Sequence, residues 1–351
     1  MPPQSTAHCG GHITLLFSID KSARLKRSQG SRGAGFAVKH GVQMRGELHT
    51  VKEITPQQTM TGIDPDPRPT VNDLPEHRVS VIDMHGEQRE NVALYLDFLQ
   101  ACRDAKLLRD HEWVDLEVTL ECPTSQGFGM SAAGLMALGE VVKSLTGRGS
   151  TVQYEKIAHR IEREHGAGLG DVLGLSVGGV ELRLEPGAPG WPGKAVSFGA
   201  QSPVLLAWDA TGERHTSTYI DDPSWQAAIT QAGNDSMERL RQGTWNEQRW
   251  KELLKEARTF AEASGMLDEG VRAAVYQATL TAIEDLGLQA KMAARLCMLG
   301  SSVAVVPRNL DQPPSADDLN SLQSRLNSQG VQTLLTVFAG VRHRHEAGSN
   351  R

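Results

Sequence analysis

The segment Pro123-Thr124-Ser125-Gln126-Gly127-Phe128-Gly129-Met130-Ser131-Ala132-Ala133 lies between an alternating apolar and charged run and a long apolar run. Glycines at such a junction let backbone N–H groups turn toward one point, and the helix that follows adds unsatisfied amides and a positive dipole end. An anionic phosphate is the natural guest. The helix predicted from Ala132 to Leu145 is apolar on most sides, so it should be buried and hold its N-terminus in one direction. The hydroxyl of Ser131 sits where this helix opens, and it could either ligate Mg²⁺ or cap the helix.

Acidic groups follow downstream. A capping-box pattern, Ser150 with Gln153, opens an amphipathic helix whose buried stripe is Tyr154, Ile157, Ala158 and Ile161. Glu162 lies at one edge of that stripe and Glu164 at the other; periodicity does not choose between them, and a solvated face is the default for either. Asp171 ends the run Gly166-Ala167-Gly168-Leu169-Gly170 and precedes a short apolar helix, where an N-cap aspartate is the plain reading. Arg183 alternates with Glu181 and Glu185 on one strand face, as in a solvated cross-strand ladder. Its planar guanidinium would equally match a carboxylate in bidentate fashion. The pairs His8/His12 and His343/His345 have no Cys or carboxylate at ligand spacing, so exposed or locally bonded imidazoles are expected there.

Two other phosphate motifs can be tested against the residues. Gly127-x-Gly129-x-x-Ala132 formally satisfies a dinucleotide fingerprint. The strand before it alternates with charge instead of running apolar, and no acid stands about 20 residues on. Gly187 to Lys194 is superficially like a P-loop, but its glycines are too far apart, Ala195 replaces Ser/Thr, and prolines crowd it. Both fail.

The elements that must position these residues are legible in outline. Strands are expected over Ile13–Ile19, Phe36–Val38, Val42–Ile54, Asp115–Cys122 and Gly179–Leu184, and a helix over Asn91–Lys106. The strand from Asp115 is expected to be half solvated and antiparallel. Residues 61–77 read as a surface insertion. The proline- and glycine-rich stretch 186–200 divides the chain into 1–195 and 196–341, with a polar tail at 342–351. Beyond it come a strand (Val204–Trp208), helices at about 223–240, 246–263, 268–286 and 288–299, a strand (Val303–Val306), a helix (Ala316–Leu326) and a strand (Val331–Phe338). This β-α-β-α-β order with extra helices suits an α+β sandwich of ferredoxin-like type.

Composition narrows the class further. The 351 residues, with 36 Lys+Arg against 42 Asp+Glu, carry a net charge of −6, so no basic field exists to hold nucleic acid or acidic lipid. Cys9, Cys102, Cys122 and Cys297 are scattered with no metal-finger spacing, as expected of buried thiols in a reducing interior. No signal-peptide pattern opens the chain and no apolar run approaches a membrane span, so a cytoplasmic location is expected.

The run PTSQGFGMSAAGLMAL resembles the second signature of the GHMP kinases, a Pro-x-x-x-Gly-x-Gly-x-Ser-Ala-Ala pattern around the ATP triphosphate. Within that superfamily the chain is similar to the archaeal pantoate kinases. That likeness rests on Gly11-His12-Ile13-Thr14, Gly30 to Phe36, Ala158-His159 with Glu162, Gly168 to Val172, and Gly178-Gly179-Val180 running to Arg183 and Pro186-Gly187. It spans residues 8–190 in order. Beyond them it is loose, chiefly Met298-Leu299-Gly300-Ser301-Ser302, where a third signature would lie.

The resemblance implies an N-terminal domain like the second domain of ribosomal protein S5, a ferredoxin-like C-terminal domain, and ATP with Mg²⁺ between them. It implies Pro123, Gly127, Phe128, Gly129, Met130, Ser131 and Ala132 as the nucleotide cradle, and Ser131 with Glu162 as Mg²⁺ ligands. By the same likeness Asp171 is the catalytic base or the carboxylate that orients the acceptor hydroxyl. Arg183 is the clamp on the acceptor carboxylate, with Ser31, Arg32 and His12 as further substrate contacts. The implied reaction converts pantoate to 4-phosphopantoate on the way to coenzyme A, in a homodimer. Mevalonate, homoserine or shikimate as acceptor, and a non-catalytic metabolite sensor on the same scaffold, are the alternative readings.

Overall fold

The run from Gly33 to Thr50 forms one strand, β2, and β1 (Gln4–Phe17) pairs along it antiparallel from Gln4 opposite Glu47 to Phe17 opposite Gly33. The computed structural model describes residues 2–50, 76–210 and 222–342. The strand end at 51–54, most of the 61–77 insertion and the tail beyond Arg342 lie outside them. The first strand was expected from Ile13. It starts at Gln4 because its leading half lies on the rim of β2, where a partly solvated strand shows no apolar run.

The other edge of β2 is shared. Gly33–Phe36 pairs with β6 (Val180–Glu185), and Val42–Thr50 with β5 (Glu112–Leu120). β5 shows the expected alternation, with Val114, Leu116, Val118 and Leu120 buried, and it runs antiparallel to β2. On its other side it is parallel to β3 (Arg78–Ile82), which carries the short β4 (Gln88–Arg89). β7 (Lys194–Phe198) completes the sheet beside β6. It straddles the expected division at 195/196, so the first sheet closes at Phe198.

The helices α1 (Ala93–Asp104), α2 (Met130–Thr146), α3 (Thr151–Glu164) and α4 (Asp171–Val177) belong to this half. α2 is buried on nearly every side and packs on β1 and β2. Its all-round apolar sequence is what such a central helix requires. It ends at Gly147, which takes the left-handed conformation (φ 63°) that stops a helix. α3 opens on the expected capping box, with the Gln153 side chain accepting from the Ser150 N–H at 2.7 Å.

The second sheet has the order β11-β8-β10-β9, with β8 (Pro203–Trp208), β9 (Met292–Cys297), β10 (Ser302–Pro307) and β11 (Gln332–Val337) all antiparallel to their neighbours. Helices α5 (Pro223–Leu240), α6 (Trp250–Ala263) and α7 (Gly270–Asp285) connect β8 to β9, and α8 (Ala316–Ser328) connects β10 to β11. This is the ferredoxin-like α+β sandwich.

One expectation is overturned. The stretch read as a helix over 288–299 contains β9. Met, Ala, Arg and Leu favour helix locally, but all six residues of β9 are buried and pair in full register with β10, and that packing outweighs propensity. The correction supplies the hairpin that the β-α-β-α-β order lacked.

The two sheets share an apolar core. Phe36 of β2 lies 4.9 Å from Phe338 and 6.4 Å from Trp250, ring centre to ring centre, and Phe17 lies 5.7 Å from Phe260. Backbone bridges Val38–Phe338 and Gly178–Val341 tie the exit of β11 to the first sheet.

Candidate active site

The glycine loop ahead of α2 is held from two sides. The His12 N–H of β1 donates to the Phe128 carbonyl at 3.0 Å, and the Ser302 hydroxyl of β10 donates to the Gln126 carbonyl. Gly127 (φ 77°) and Gly129 (φ 68°) adopt left-handed backbone, and a Cβ on Gly129 would lie 2.9 Å from the His12 Cβ. Neither conformation nor space admits a side chain. Gly129→Ala is therefore expected to lower stability by about 1–3 kcal/mol, measured by urea unfolding.

α2 begins at Met130 with Gly129 as its cap residue, so no capping side chain hydrogen-bonds its first amides. Ser131 is thus inside the first turn, not the cap. The loop forms one wall of a cavity of about 720 Å³ lined by Pro123, Gly127, Phe128, Gly129, Met130 and Ser131 among others. Ala132 is buried behind that wall. Met298 and Leu299, from the turn joining β9 to β10, line the same cavity. The loosely matched third signature therefore sits against the glycine loop, as its sequence position implied.

Glu162 and Asp171 line the cavity too. The two candidate glutamates differ in burial: Glu162 is buried, while Glu164 is exposed and within 3.8 Å of Arg160. The Glu162 Oε2 has no hydrogen-bond partner. A Cβ on Gly168 would collide with the Glu162 carboxylate and lie 2.8 Å from the Asp171 Oδ2, so the absence of a side chain at Gly168 lets the two acids approach. Burial first, and the Asp171 charge second, push Glu162 up to about 8. A hard divalent cation takes oxygen ligands and, beside substrate phosphates, often has only one or two carboxylates. An orphaned buried carboxylate oxygen across a cavity from a serine hydroxyl fits that demand.

Asp171 is the first residue of α4 and does not act as the cap, which is Gly170. Its Oδ1 lies 2.6 Å from the His12 Nδ1 and accepts from the Thr14 hydroxyl at 3.3 Å. His12 is fully buried, and its Nε2 lies 3.1 Å from Glu181 Oε1. Burial alone would raise Asp171, but the hydrogen bond and charge of His12, the charge of Arg183 and the Thr14 hydroxyl together hold it below the usual range. His12 responds reciprocally. Burial lowers it, yet its two carboxylate partners raise it on balance. This imidazole is the cation that keeps Asp171 ionised.

Arg183 lies one layer deeper. It is 1% exposed, its Nη2 donates to the Thr14 hydroxyl at 3.4 Å, its Nε approaches Glu181 at 3.4 Å, and that Nε makes no hydrogen bond. The solvated ladder is therefore corrected, because both faces of β6 are covered. Ser31 is buried with its hydroxyl unpartnered, and a Cβ on Gly170 would run into both Ser31 and Arg183. The Arg32 Nε is likewise buried and unpartnered. His159 is buried with Nε2 2.9 Å from the Gln29 carbonyl, and burial lowers it to about 4, so it is neutral. Of the expected substrate contacts, Arg183, Ser31, Arg32 and His12 do not line the cavity. His12 and Arg183 stand behind Asp171 and Thr14, which do line it, and Ser31 lies beside Arg183.

Comparison with known families matches residues 96–179 to the GHMP kinases N terminal domain. That stretch carries the N-terminal domain of the GHMP kinases. The chain is 25% identical over 301 residues to a pantoate kinase of Methanospirillum hungatei, covering 85% of this chain and 86% of that one. It is 32% identical over 145 residues to a pantoate kinase of Thermococcus kodakarensis, covering 41% of this chain and 46% of the relative. In that second pair the match spans less than half the relative's length. A solved structure described as a phosphotransferase related to the CoA biosynthesis pathway superposes with a TM-score of 0.71 at 21% identity, over 99% of this chain and 100% of that one. It shows that the two share a fold.

Two residues that touch this cluster escaped the sequence. Thr14 touches both Asp171 and Arg183, but a threonine in an apolar strand carries no signal of its own. Glu181 was visible as one rung of the Glu181-Arg183-Glu185 alternation. Period two identifies a face without saying whether that face is solvated.

Proposed function

We propose that this chain transfers the γ-phosphoryl group of ATP to the primary hydroxyl of pantoate, giving 4-phosphopantoate. The observation that carries the reading is the convergence of Ser131, Glu162 and Asp171 on one cavity, with Asp171 held ionised by His12. Bound ATP with Mg²⁺ would supply the transferable phosphoryl group and neutralise its charge. The amides of the glycine loop and the first turn of α2 are aimed to hold the phosphates. Ser131 and Glu162 would hold the cation.

Asp171 takes the hydroxyl proton as the new O–P bond forms and the bridging P–O bond breaks, and His12 and Thr14 fix its orientation meanwhile. Proton transfer needs a carboxylate ionised at working pH, and the environment of Asp171 keeps it so. Arg183 offers a guanidinium whose Nε is 3.4 Å from Glu181 yet makes no hydrogen bond among the described residues, next to the unpartnered Ser31 hydroxyl behind the cavity floor, and a substrate carboxylate reaching past Thr14 would satisfy these donors. The names of the two curated relatives supply the acceptor, and the buried arginine is consistent with its being an acid. The same relationship is the basis for proposing a homodimer in the cytoplasm, the former checked by light scattering. Among the described residues no helix is long and apolar enough to cross a membrane.

The test is an ADP-release assay with pantoate, mevalonate, homoserine and shikimate as acceptors. Turnover with pantoate alone is expected, and a higher kcat/KM for any other acceptor overturns the assignment. Arg183→Lys keeps the charge beside Glu181 but loses the planar fork. It is expected to raise KM for pantoate about ten- to hundredfold, the worth of a charge-assisted hydrogen bond, with KM for ATP unchanged. Equal losses for both substrates would remove Arg183 from the acceptor site.

A further inference from the structure

Toward the end of the β9–β10 hairpin opposite Met298 and Leu299, cationic side chains outnumber acids. Lys251, Lys255 and Arg258 of α6, Arg295 of β9 and Arg308 after β10 line a cleft of about 630 Å³ in which Glu262 is the one carboxylate. An adjoining cavity of about 350 Å³ is walled by the same three arginines, Arg258, Arg295 and Arg308, and by one acid, Glu284. Neither cavity shares a lining residue with the one that holds Ser131, Glu162 and Asp171.

Arg295 is the informative member. It is only 9% exposed, on the edge strand of its sheet. Its Nε donates to the Leu254 carbonyl and its Nη1 to the Ala294 carbonyl, each at 2.6 Å, so the backbone fixes the guanidinium while Nη2 makes no hydrogen bond. No carboxylate lies within ion-pair distance of it among the described residues. Burial is the main cause that holds it at about 10, down from its ordinary value; Tyr276 opposes this, the charges of Arg308 and Arg258 add to it to a smaller degree, and Glu262 opposes it least. Arg308 is anchored similarly, its Nε donating to the Met292 carbonyl at 3.0 Å. Arg258 is the one arginine of the three that is neutralised, by Glu262 at 2.7 Å. Lys251 and Lys255 make no ion pair among the described residues.

A protein of net charge −6 that packs like charges around a buried, backbone-fixed guanidinium pays a repulsion that a bound anion would remove. We infer that this cleft is a second ligand site, specific for a compact polyphosphate anion such as a diphosphate group. Five cations against one acid exceed what a single carboxylate or monophosphate would neutralise, and the cleft is too small for an extended polyanion.

Isothermal titration of the full-length protein with inorganic pyrophosphate tests this. The active cavity is a second place for that ion, so the titration is run on Ser131→Ala/Glu162→Gln as well as on wild type. Binding is expected to persist in that variant, to weaken with rising salt, and to fall at least tenfold in Lys255→Gln/Arg308→Gln, two changes that leave the buried Arg295 in place. A parallel titration with ADP, read as the part of its binding that is lost in Lys255→Gln/Arg308→Gln, distinguishes the sources. Equal affinity assigns the free inorganic ion, and tighter ADP binding assigns an organic diphosphate. Unchanged affinity in Lys255→Gln/Arg308→Gln, or complete loss of binding in Ser131→Ala/Glu162→Gln, overturns the second site. Because that site shares no residue with the active cavity, its failure would leave the kinase reading intact.

Discussion

Asp171→Asn is expected to fold normally and lose about 10²–10⁴ in kcat, the range for removing a positioned general base. The substitution keeps the shape of the side chain, so an oxygen can still accept from His12 Nδ1 and from the Thr14 hydroxyl. The charge that accepts the proton is gone. KM for ATP should stay within about twofold, since the phosphate cradle is built by other residues. His12→Gln is the companion variant. It retains a hydrogen-bonding group but removes the cation that keeps Asp171 below its ordinary range, so the acid limb of the pH–kcat profile should move to higher pH while the alkaline plateau survives. Circular dichroism confirms folding, and steady-state turnover gives the rates. Asp171→Asn turnover within about threefold of wild type would remove Asp171 from the chemistry.

The pairing with His12 could not be read from the sequence, and the reason is geometric. His12 and Asp171 are 159 positions apart and meet because β1 and the start of α4 lie side by side. Local patterning records which residues share a strand face or a helix stripe, and nothing about what the opposite element brings. Within one element the patterning served well. The alternation of β5, the capping box at Ser150 and the all-apolar α2 all formed as their sequences required. It served badly where both faces of an element are covered. The six residues of β9 read as helix because no solvated face marks them as a strand, and Glu181 and Arg183 read as surface for the matching reason. The glycine loop at the cavity wall was legible because its pattern is local. Gly127, Gly129, Ser131 and the amides that follow are neighbours in sequence as well as in space.

Glu162 makes the cation site pH-dependent in a direction opposite to an ordinary carboxylate. Its folded-state pKa is raised, to about 8, by burial and by the charge of Asp171. Below that value the side chain is mostly protonated, and a cation that requires the carboxylate must displace the proton. Mg²⁺ affinity in the presence of ADP should therefore rise about tenfold per pH unit from pH 6 toward 8 and level off above it. Binding at pH 7 should release a proton, seen as a calorimetric enthalpy that changes between buffers of different ionisation heat.

The sign for stability agrees. A group with a raised folded-state pKa contributes stability that is fully present below its ordinary value of 4.5 and is lost as pH rises through about 8. Mg²⁺ should accordingly protect the protein more at pH 8 than at pH 6. His12 is also raised and also loses stabilisation on the alkaline side, whereas Asp171, held low, contributes a constant amount across this window. Glu162→Gln separates these contributions. It should flatten the pH dependence of Mg²⁺ binding, leave the His12 component in the melting curves, and slow turnover about a hundredfold, the equivalent of about 3 kcal/mol of lost charge stabilisation. A pH dependence of Mg²⁺ affinity that persists in Glu162→Gln would mean that another group holds the ion.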